Sequence, residues 1–182
     1  MQIIGPPSVA PRRMAQTAAH LVDHVIPHEP VRQWVLALPI PLRPLLAAQP
    51  KLVTPVLQVV HRVITRHLID QAGLEVDEAD SGAVTLIQRF GSAANLNIHL
   101  HCLVLDGVYR RGTDGAPEFV EVPAPSGEAL QTVLHKIITR MMQLLTRRGV
   151  LVEEEGSTYM ADCDGDSDEA RVLRPLQAAA CT

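Results

Sequence analysis

Two long stretches of the chain carry apolar residues at the three- and four-residue spacing of an amphipathic helix. The first runs from Lys51 to Gln71 and the second from Ser126 to Gly149. Apolar positions at this spacing line one face of a helix, which then packs against a core. Pro55 lies in the first turn of the first stretch, where proline is tolerated, and Ser126 and Gly149 suit the N-cap and the C-terminal stop of the second. We therefore predict a helix over each stretch.

Shorter stretches with β-branched or alternating apolar residues predict strands. Val31–Leu38 is closed by prolines, and Ala83–Phe90 and Ile98–Val108 are separated only by the polar turn 91–97. We expect the latter two to pair as an antiparallel hairpin. Short strands or a final hairpin are also expected at residues 117–122, 150–154 and 158–161.

The long elements follow the order strand, helix, strand, strand, helix, strand. This is the split βαβ, or ferredoxin-like, arrangement, in which two long helices cover one face of an antiparallel sheet. The sequence therefore predicts an α+β fold with Ile98–Val108 as a central strand. A short N-terminal helix over Met14–Ile26 is expected before it, and residues 75–82 are expected to form an acidic, solvated loop.

The composition permits a folded domain and argues against a membrane-spanning, a disulfide-rich or a secreted protein. Of the 182 residues 47% are hydrophobic, and no apolar run approaches the ~20 residues that span a bilayer. The three cysteines are too scattered for a disulfide framework or a metal clip, and the N-terminus is unlike a signal peptide, so a cytoplasmic protein is expected. The net charge of −4 does not favour nucleic-acid binding, but residues 131–148 contain four Lys/Arg and no acid, which leaves room for a basic face.

The strand 98–108 carries two histidines, His99 and His101, separated by one residue. Side chains alternate along a strand, so these imidazoles face one way while Leu100 and Cys102 face the other. Two neighbouring imidazoles can bind one divalent cation, with a third ligand from another element. Two solvent-exposed strand histidines without a metal are the alternative, and spacing alone does not decide between them.

The stretch GAVTLIQRFGSAANLNIHLHCLVLDGVY, residues 82–109, closely resembles rolling-circle transposases of the insertion-sequence-91 type. These belong to the superfamily of nicking enzymes named for His-hydrophobic-His, and residues 12–43 and 134–149 also look like that family. The resemblance implies a divalent metal, Mg²⁺ or Mn²⁺, that polarises a phosphate of single-stranded DNA. It also implies a tyrosine that attacks this phosphate and stays joined to the 5′ end of the cut strand.

Carried onto this sequence, the resemblance places metal ligands at His99 and His101. Gln88, on the paired strand, is the candidate third ligand, and a solvated strand glutamine is the alternative. The implied partners are DNA, as single-stranded transposon ends, and a full-length transposase.

The chain departs from the family in two features. Residues 1–11 lack the cysteines of its N-terminal zinc module, and its nucleophilic tyrosine is expected downstream of Thr182, so we expect a chain truncated at both ends. Tyr109 and Tyr159, the two tyrosines present, are expected to be structural. The expected organisation is a disordered leader at 1–12, a helical remnant of the zinc module at 13–30, a nicking-type domain at 31–161, and an acidic loop with a truncated tail at 162–182.

Paired arginines are candidates for contacts with DNA phosphates. They are Arg110 and Arg111 after the histidine strand, and Arg147 and Arg148 at the end of the second long helix. Cations at a helix C-terminus also complement the helix dipole, so the second pair has a purely structural alternative.

Two further groups only superficially resemble metal sites. Among His20, His24 and His28, Pro27 breaks the helix before the third histidine. The alternating aspartates of residues 162–168 lack the glycine and glutamate of a calcium loop.

These observations predict a transposase fragment that binds and nicks single-stranded DNA with a metal, and that is inactive alone because its nucleophile is missing. An inactive remnant that binds only DNA or a full-length transposase is the alternative. A metal-dependent hydrolase unrelated to DNA would rest on the histidine pair alone.

Overall fold

The computed structural model describes residues 9–40, 42–90, 96–112, 115–154 and 157–160. Within these ranges the helices are α1 (Val9–His24), α2 (Leu42–Ala48), α3 (Val53–Gln71) and α4 (Gly127–Arg147), with a 3₁₀ turn at Pro50–Leu52. The strands are β1 (Val31–Ala37), β2 (Ala79–Asp80), β3 (Ala83–Phe90), β4 (Leu96–Leu105), β5 (Gly107–Arg110), β6 (Glu118–Glu121), β7 (Leu151–Glu154) and β8 (Ser157–Met160). The predicted α+β class is confirmed.

The chain divides into two compact units, residues 1–30 and 31–182. In the first unit α1 begins at Val9, so Pro11 and Arg12, which were expected in a disordered leader, are helical. Proline is tolerated there because the N–H groups of a first helical turn have no partner within the helix. The predicted leader residues 1–8 lie outside the described residues.

The main sheet of the second unit has the strand order β1-β4-β3, and all its pairings are antiparallel. The predicted hairpin is therefore confirmed, and the histidine strand β4 is central. The expected last strand, β7, pairs with β8 and not with β1. A complete ferredoxin-like sheet is thus not confirmed.

One face of the main sheet packs against α3 and α4. Three of the buried residues of β4, Leu100, Cys102 and Val104, form one cluster with Val60 of α3 and Ile137 of α4. The capped second helix is confirmed: the Ser126 side chain accepts a hydrogen bond from the backbone N–H of Ala129, and Gly149 adopts a φ of 67° just beyond the end.

The predicted strand Ile98–Val108 is wrong in extent. β4 ends at Leu105, and after Asp106 the chain enters a second sheet of order β2-β5-β6. The change of sheet requires Gly107, because a Cβ there would lie 2.3 Å from the backbone oxygen of Val120. At the same junction Asp106 accepts a hydrogen bond from Arg32 of β1 at 2.6 Å.

Two more expectations near this core need correction. The loop 75–82 contributes β2, whose Ala79 is 2% exposed. The helix α2 was not predicted, and it buries Leu42, Leu45 and Leu46. No helix within the described ranges is both long enough and apolar enough to cross a membrane. The tail 162–182, with its aspartates, lies outside the described residues.

Candidate metal and DNA-binding site

The face of the main sheet opposite α3 and α4 carries both histidines of the motif. His99 pairs with Ala37 and Gln88, and His101 pairs with Val35 and Leu86. Directly paired residues of adjacent strands point to the same side of a sheet. We call this surface the open face, defined by Gln33, Val35, Ala37, Leu86, Gln88, His99 and His101.

Exposure confirms the predicted alternation along β4. His99 and His101 are half-buried, whereas Leu100 and Cys102 are almost completely buried. Val35 is 57% exposed and Leu86 52%, so aliphatic surface flanks the histidines on both sides. The open face is therefore accessible and partly apolar.

The two imidazole rings have centroids 6.3 Å apart and planes inclined at 45°. Imidazoles that share an ion at about 2.1 Å per nitrogen keep their ring centroids within about 6 Å of each other. The observed separation of 6.3 Å between the ring centroids is close to this limit.

His101 is held between two glutamines from the neighbouring strands. Its Nε2–H donates to Oε1 of Gln88 at 3.1 Å, and its Nδ1 accepts from Nε2 of Gln33 at 2.9 Å. This pattern describes a neutral imidazole with its proton on Nε2. Gln33 was not among the predicted site residues, although the alternation of β1 makes it a polar residue on the open face.

The imidazole nitrogens of His99 and His101 suit a hard divalent cation only if an amide oxygen is a further ligand. No group of three His, Cys, Asp or Glu side chains that could hold a metal occurs in the described ranges. Gln88 is the side chain that brings an oxygen close to His101. Two imidazoles and an amide oxygen fit Mn²⁺, and fit Mg²⁺ less well because magnesium prefers oxygen ligands.

The arginines predicted to contact DNA lie away from the open face. Arg110 pairs with Glu118 at 2.6 Å and Arg111 with Asp80 at 3.0 Å, both at the second sheet. Arg147 donates to the backbone oxygen of Gln143, and Arg148 is the C-terminal cap of α4. The exposed ion pairs of the first two are weak, and phosphate binding by any of the four stays a prediction.

Neither tyrosine lies on a strand of the main sheet. Tyr109 belongs to β5, and its ring packs edge-on against Phe119 of β6 at 5.2 Å. Tyr159 lies on β8 opposite Val152.

The histidines in and after α1 do not form a metal site with a third ligand in the described residues. His20 and His24 have ring centroids 5.0 Å apart, and His28 lies beyond the helix end at residue 24. Within the described part of this unit no third metal-ligating side chain joins them.

Beneath the histidine strand, a short chain of hydrogen bonds links α3, β3 and β4. Thr85 donates to Sγ of Cys102 at 3.2 Å, and Nε2 of His61 lies 2.6 Å from the Thr85 hydroxyl oxygen. Because the single hydroxyl proton is directed at sulfur, His61 is the donor in the second bond. Burial lowers the pKa of His61 and raises the pKa of the Cys102 thiol.

We expect stability to fall as the pH is lowered from 7 to 5. With the folded-state pKa of His61 below its ordinary 6.5, the unfolded chain binds more protons in this range, and the free energy of unfolding decreases with falling pH. Desolvation also lowers the pKa of His67, which acts in the same direction.

Urea denaturation at several pH values tests this. His61→Gln keeps a donor for Thr85 and does not titrate, so it should flatten the pH dependence. His135→Gln, at an exposed position of α4, should leave it unchanged. Equal pH dependence in both variants would contradict the assignment to His61.

Residues 82–167 match the family model described as a putative transposase. The matched segment contains Gln88 and both histidines of the open face. Comparison with curated proteins and with solved structures gave no match. The family match supports a transposase role, and with it DNA processing in general terms.

Proposed function

We propose that the unit from Val31 onward is the metal- and DNA-binding part of a rolling-circle transposase, which acts on single-stranded DNA at transposon ends. The observation that carries this proposal is the position of His99 and His101, side by side on the open face of a central strand. Both lie within the segment that matches the transposase family.

In this proposal His99, His101 and Gln88 hold Mn²⁺ or Mg²⁺. A bound divalent ion would supply Lewis-acid polarisation of a phosphate oxygen and so make the phosphorus more open to attack. The hydrogen bond between His101 and Gln88 already brings two of these donor groups together at 3.1 Å.

Gln33 would orient His101 for this role. When Nε2 of the imidazole is the ligand, the ring proton resides on Nδ1 and needs an acceptor. A half-turn of the Gln33 amide exchanges its nitrogen for its oxygen at the 2.9 Å position and provides that acceptor. Such partners of a metal-ligating histidine fix its tautomer and orientation.

The aliphatic flanks of the open face favour a single strand over a duplex. The unpaired bases of a single strand can contact Val35 and Leu86, whereas a duplex presents its phosphates outward. With aromatic residues at only 3% of the chain, base stacking adds little, so the affinity is expected to be modest.

The two tyrosines of this chain are not expected to act as nucleophile. Attack requires an oxygen roughly 3 Å from the phosphorus, in line with the leaving group. Tyr109 lies in the second sheet against Phe119, and Tyr159 lies on β8, which pairs with β7 and not with the main sheet.

The test uses a labelled single-stranded oligonucleotide carrying a transposon end, with Mn²⁺ or EDTA. We expect tighter binding with Mn²⁺, loss of that gain in the His99→Ala/His101→Ala variant, and no covalent protein–DNA band on a denaturing gel. A covalent band that disappears in Tyr109→Phe or Tyr159→Phe would contradict the assignment of both tyrosines as structural.

A second candidate is a binding module without catalysis, which associates with DNA or with a full-length transposase. The placement of Tyr109 away from the histidines favours it. Under this alternative, binding would be equal with Mn²⁺ and with EDTA, and the histidine variant would behave as wild type.

A further inference from the structure

A groove runs between α3 and α4, on the side of the main sheet away from the histidines. It encloses about 240 Å³. Its polar and charged walls include Arg66, His67 and Asp70 from α3 and Lys136 and Arg140 from α4. Both walls are regular helices, so the backbone positions of these residues are fixed by the helices.

The charge in this groove is positive although the whole chain carries −4. Three cations face one carboxylate, which leaves +2 with His67 neutral. Asp70 pairs with Arg66 at 2.9 Å. Within the described residues, Lys136 and Arg140 form no ion pair with an acidic side chain.

Lys136 and Arg140 are one helical turn apart, about 6 Å along the axis, and both line the same groove. An ammonium group and a guanidinium fork at this separation suit the oxygens of phosphate groups, because both donate charge-assisted hydrogen bonds. Half-buried His67 adds a ring nitrogen on the opposite wall.

We propose that the groove between α3 and α4 binds the phosphodiester backbone of DNA, as a second contact surface remote from the histidines. The proposal rests on the proposed function in one respect, namely that DNA is the partner. Its role is to hold backbone, so it contributes affinity and position and reads no base sequence. The open face and the groove would then contact separate parts of one DNA molecule, because the sheet and its helices lie between them.

Salt-dependent binding measured in EDTA tests the groove without involving the metal. The variant Lys136→Gln/Arg140→Gln is compared with wild type on a single-stranded oligonucleotide and on the matching duplex. The logarithm of the association constant K falls linearly with the logarithm of the salt concentration. Each lost phosphate contact changes the slope of this line by about 0.7 for a single strand and about 0.9 for a duplex. We expect the slope of log K against log salt to become shallower by about 1.4 for a single strand or about 1.8 for a duplex. Relative to 1 M salt, this weakens binding at 0.1 M salt by about 25-fold or about 60-fold.

The matched control is Lys51→Gln/Arg62→Gln, which removes the same charge from exposed residues outside the groove. It should change the slope much less. Equal slopes in the two double variants, or no DNA binding by wild type in EDTA, would overturn the proposal.

Labelled polyglutamate is a third probe. If the groove variant loses polyglutamate binding and keeps DNA binding, the groove is a site for an acidic protein segment and the proposal is wrong. The histidine variant should keep the wild-type slope in EDTA, so failure of the metal site and failure of the groove give different results.

Discussion

Replacing His99 and His101 together with alanine should abolish the binding of Mn²⁺ to this chain. The two imidazoles are the nitrogen donors of the open face. No group of three His, Cys, Asp or Glu side chains that could hold a metal instead occurs in the described ranges. We expect weak binding of Mn²⁺ by the wild type, weaker binding of Mg²⁺, and no measurable heat from the double variant in titration calorimetry.

Gln33→Leu should lower the affinity for Mn²⁺ without abolishing binding. It keeps the side-chain volume on β1 and removes the hydrogen bond to Nδ1 of His101. Loss of such a partner lowers metal affinity by about 10- to 100-fold. Equal heats from wild type and the double histidine variant would mean that the histidines are not ligands, and unchanged affinity in Gln33→Leu would remove its orienting role.

Leu100→Ala should cause the largest loss of stability of any alanine substitution on the histidine strand. Leu100 is 2% exposed and packs in the cluster shared by α3, β4 and α4. Truncation of a buried leucine costs about 2–5 kcal/mol because it removes buried apolar surface and leaves a cavity. For a chain of this size that lowers Tm by about 4–20 °C.

The matched control is Leu86→Ala, the same truncation on the open face, where the side chain is 52% exposed. It should change the free energy of unfolding by less than about 1 kcal/mol. Thermal and urea denaturation of both variants measure the difference. Similar losses from both would mean that the open face is covered in solution.

The elements predicted correctly are those whose signals are local in the sequence. The apolar stripe between Ser126 and Gly149 includes its own cap and stop, and α4 follows it closely. The alternation at residues 98–102 likewise predicts the faces of β4 without knowledge of its neighbours. His99 and His101 could therefore be placed on one exposed surface from the sequence alone.

The features that were not predicted depend on contacts distant in the sequence. The end of β4 at Leu105 depends on the close approach of Gly107 to the backbone of Val120, which apolar patterning does not report. The short helix α2 follows the prolines that close the predicted strand Val31–Leu38, and it is stabilised by burial of three leucines.

The candidate site was incomplete for the same reason. The hydrogen bond from Gln33 to His101 spans 68 residues and depends on the register between β1 and β4. Strand register follows from pairing of the folded sheet, so a polar residue on a predicted strand gives no indication of which histidine it will meet.

The thiol of Cys102 can serve as a chemical probe of local opening in the fold. It lies on the strand that carries the histidines, is 1% exposed, and accepts a hydrogen bond from Thr85. Burial raises its pKa, so little thiolate is present and alkylating reagents reach it only when the sheet separates from the helices above it. The rate of its alkylation therefore follows the local opening of β4 in the native protein. A ligand that ties β4 to its neighbouring strands would slow this reaction without contacting the sulfur.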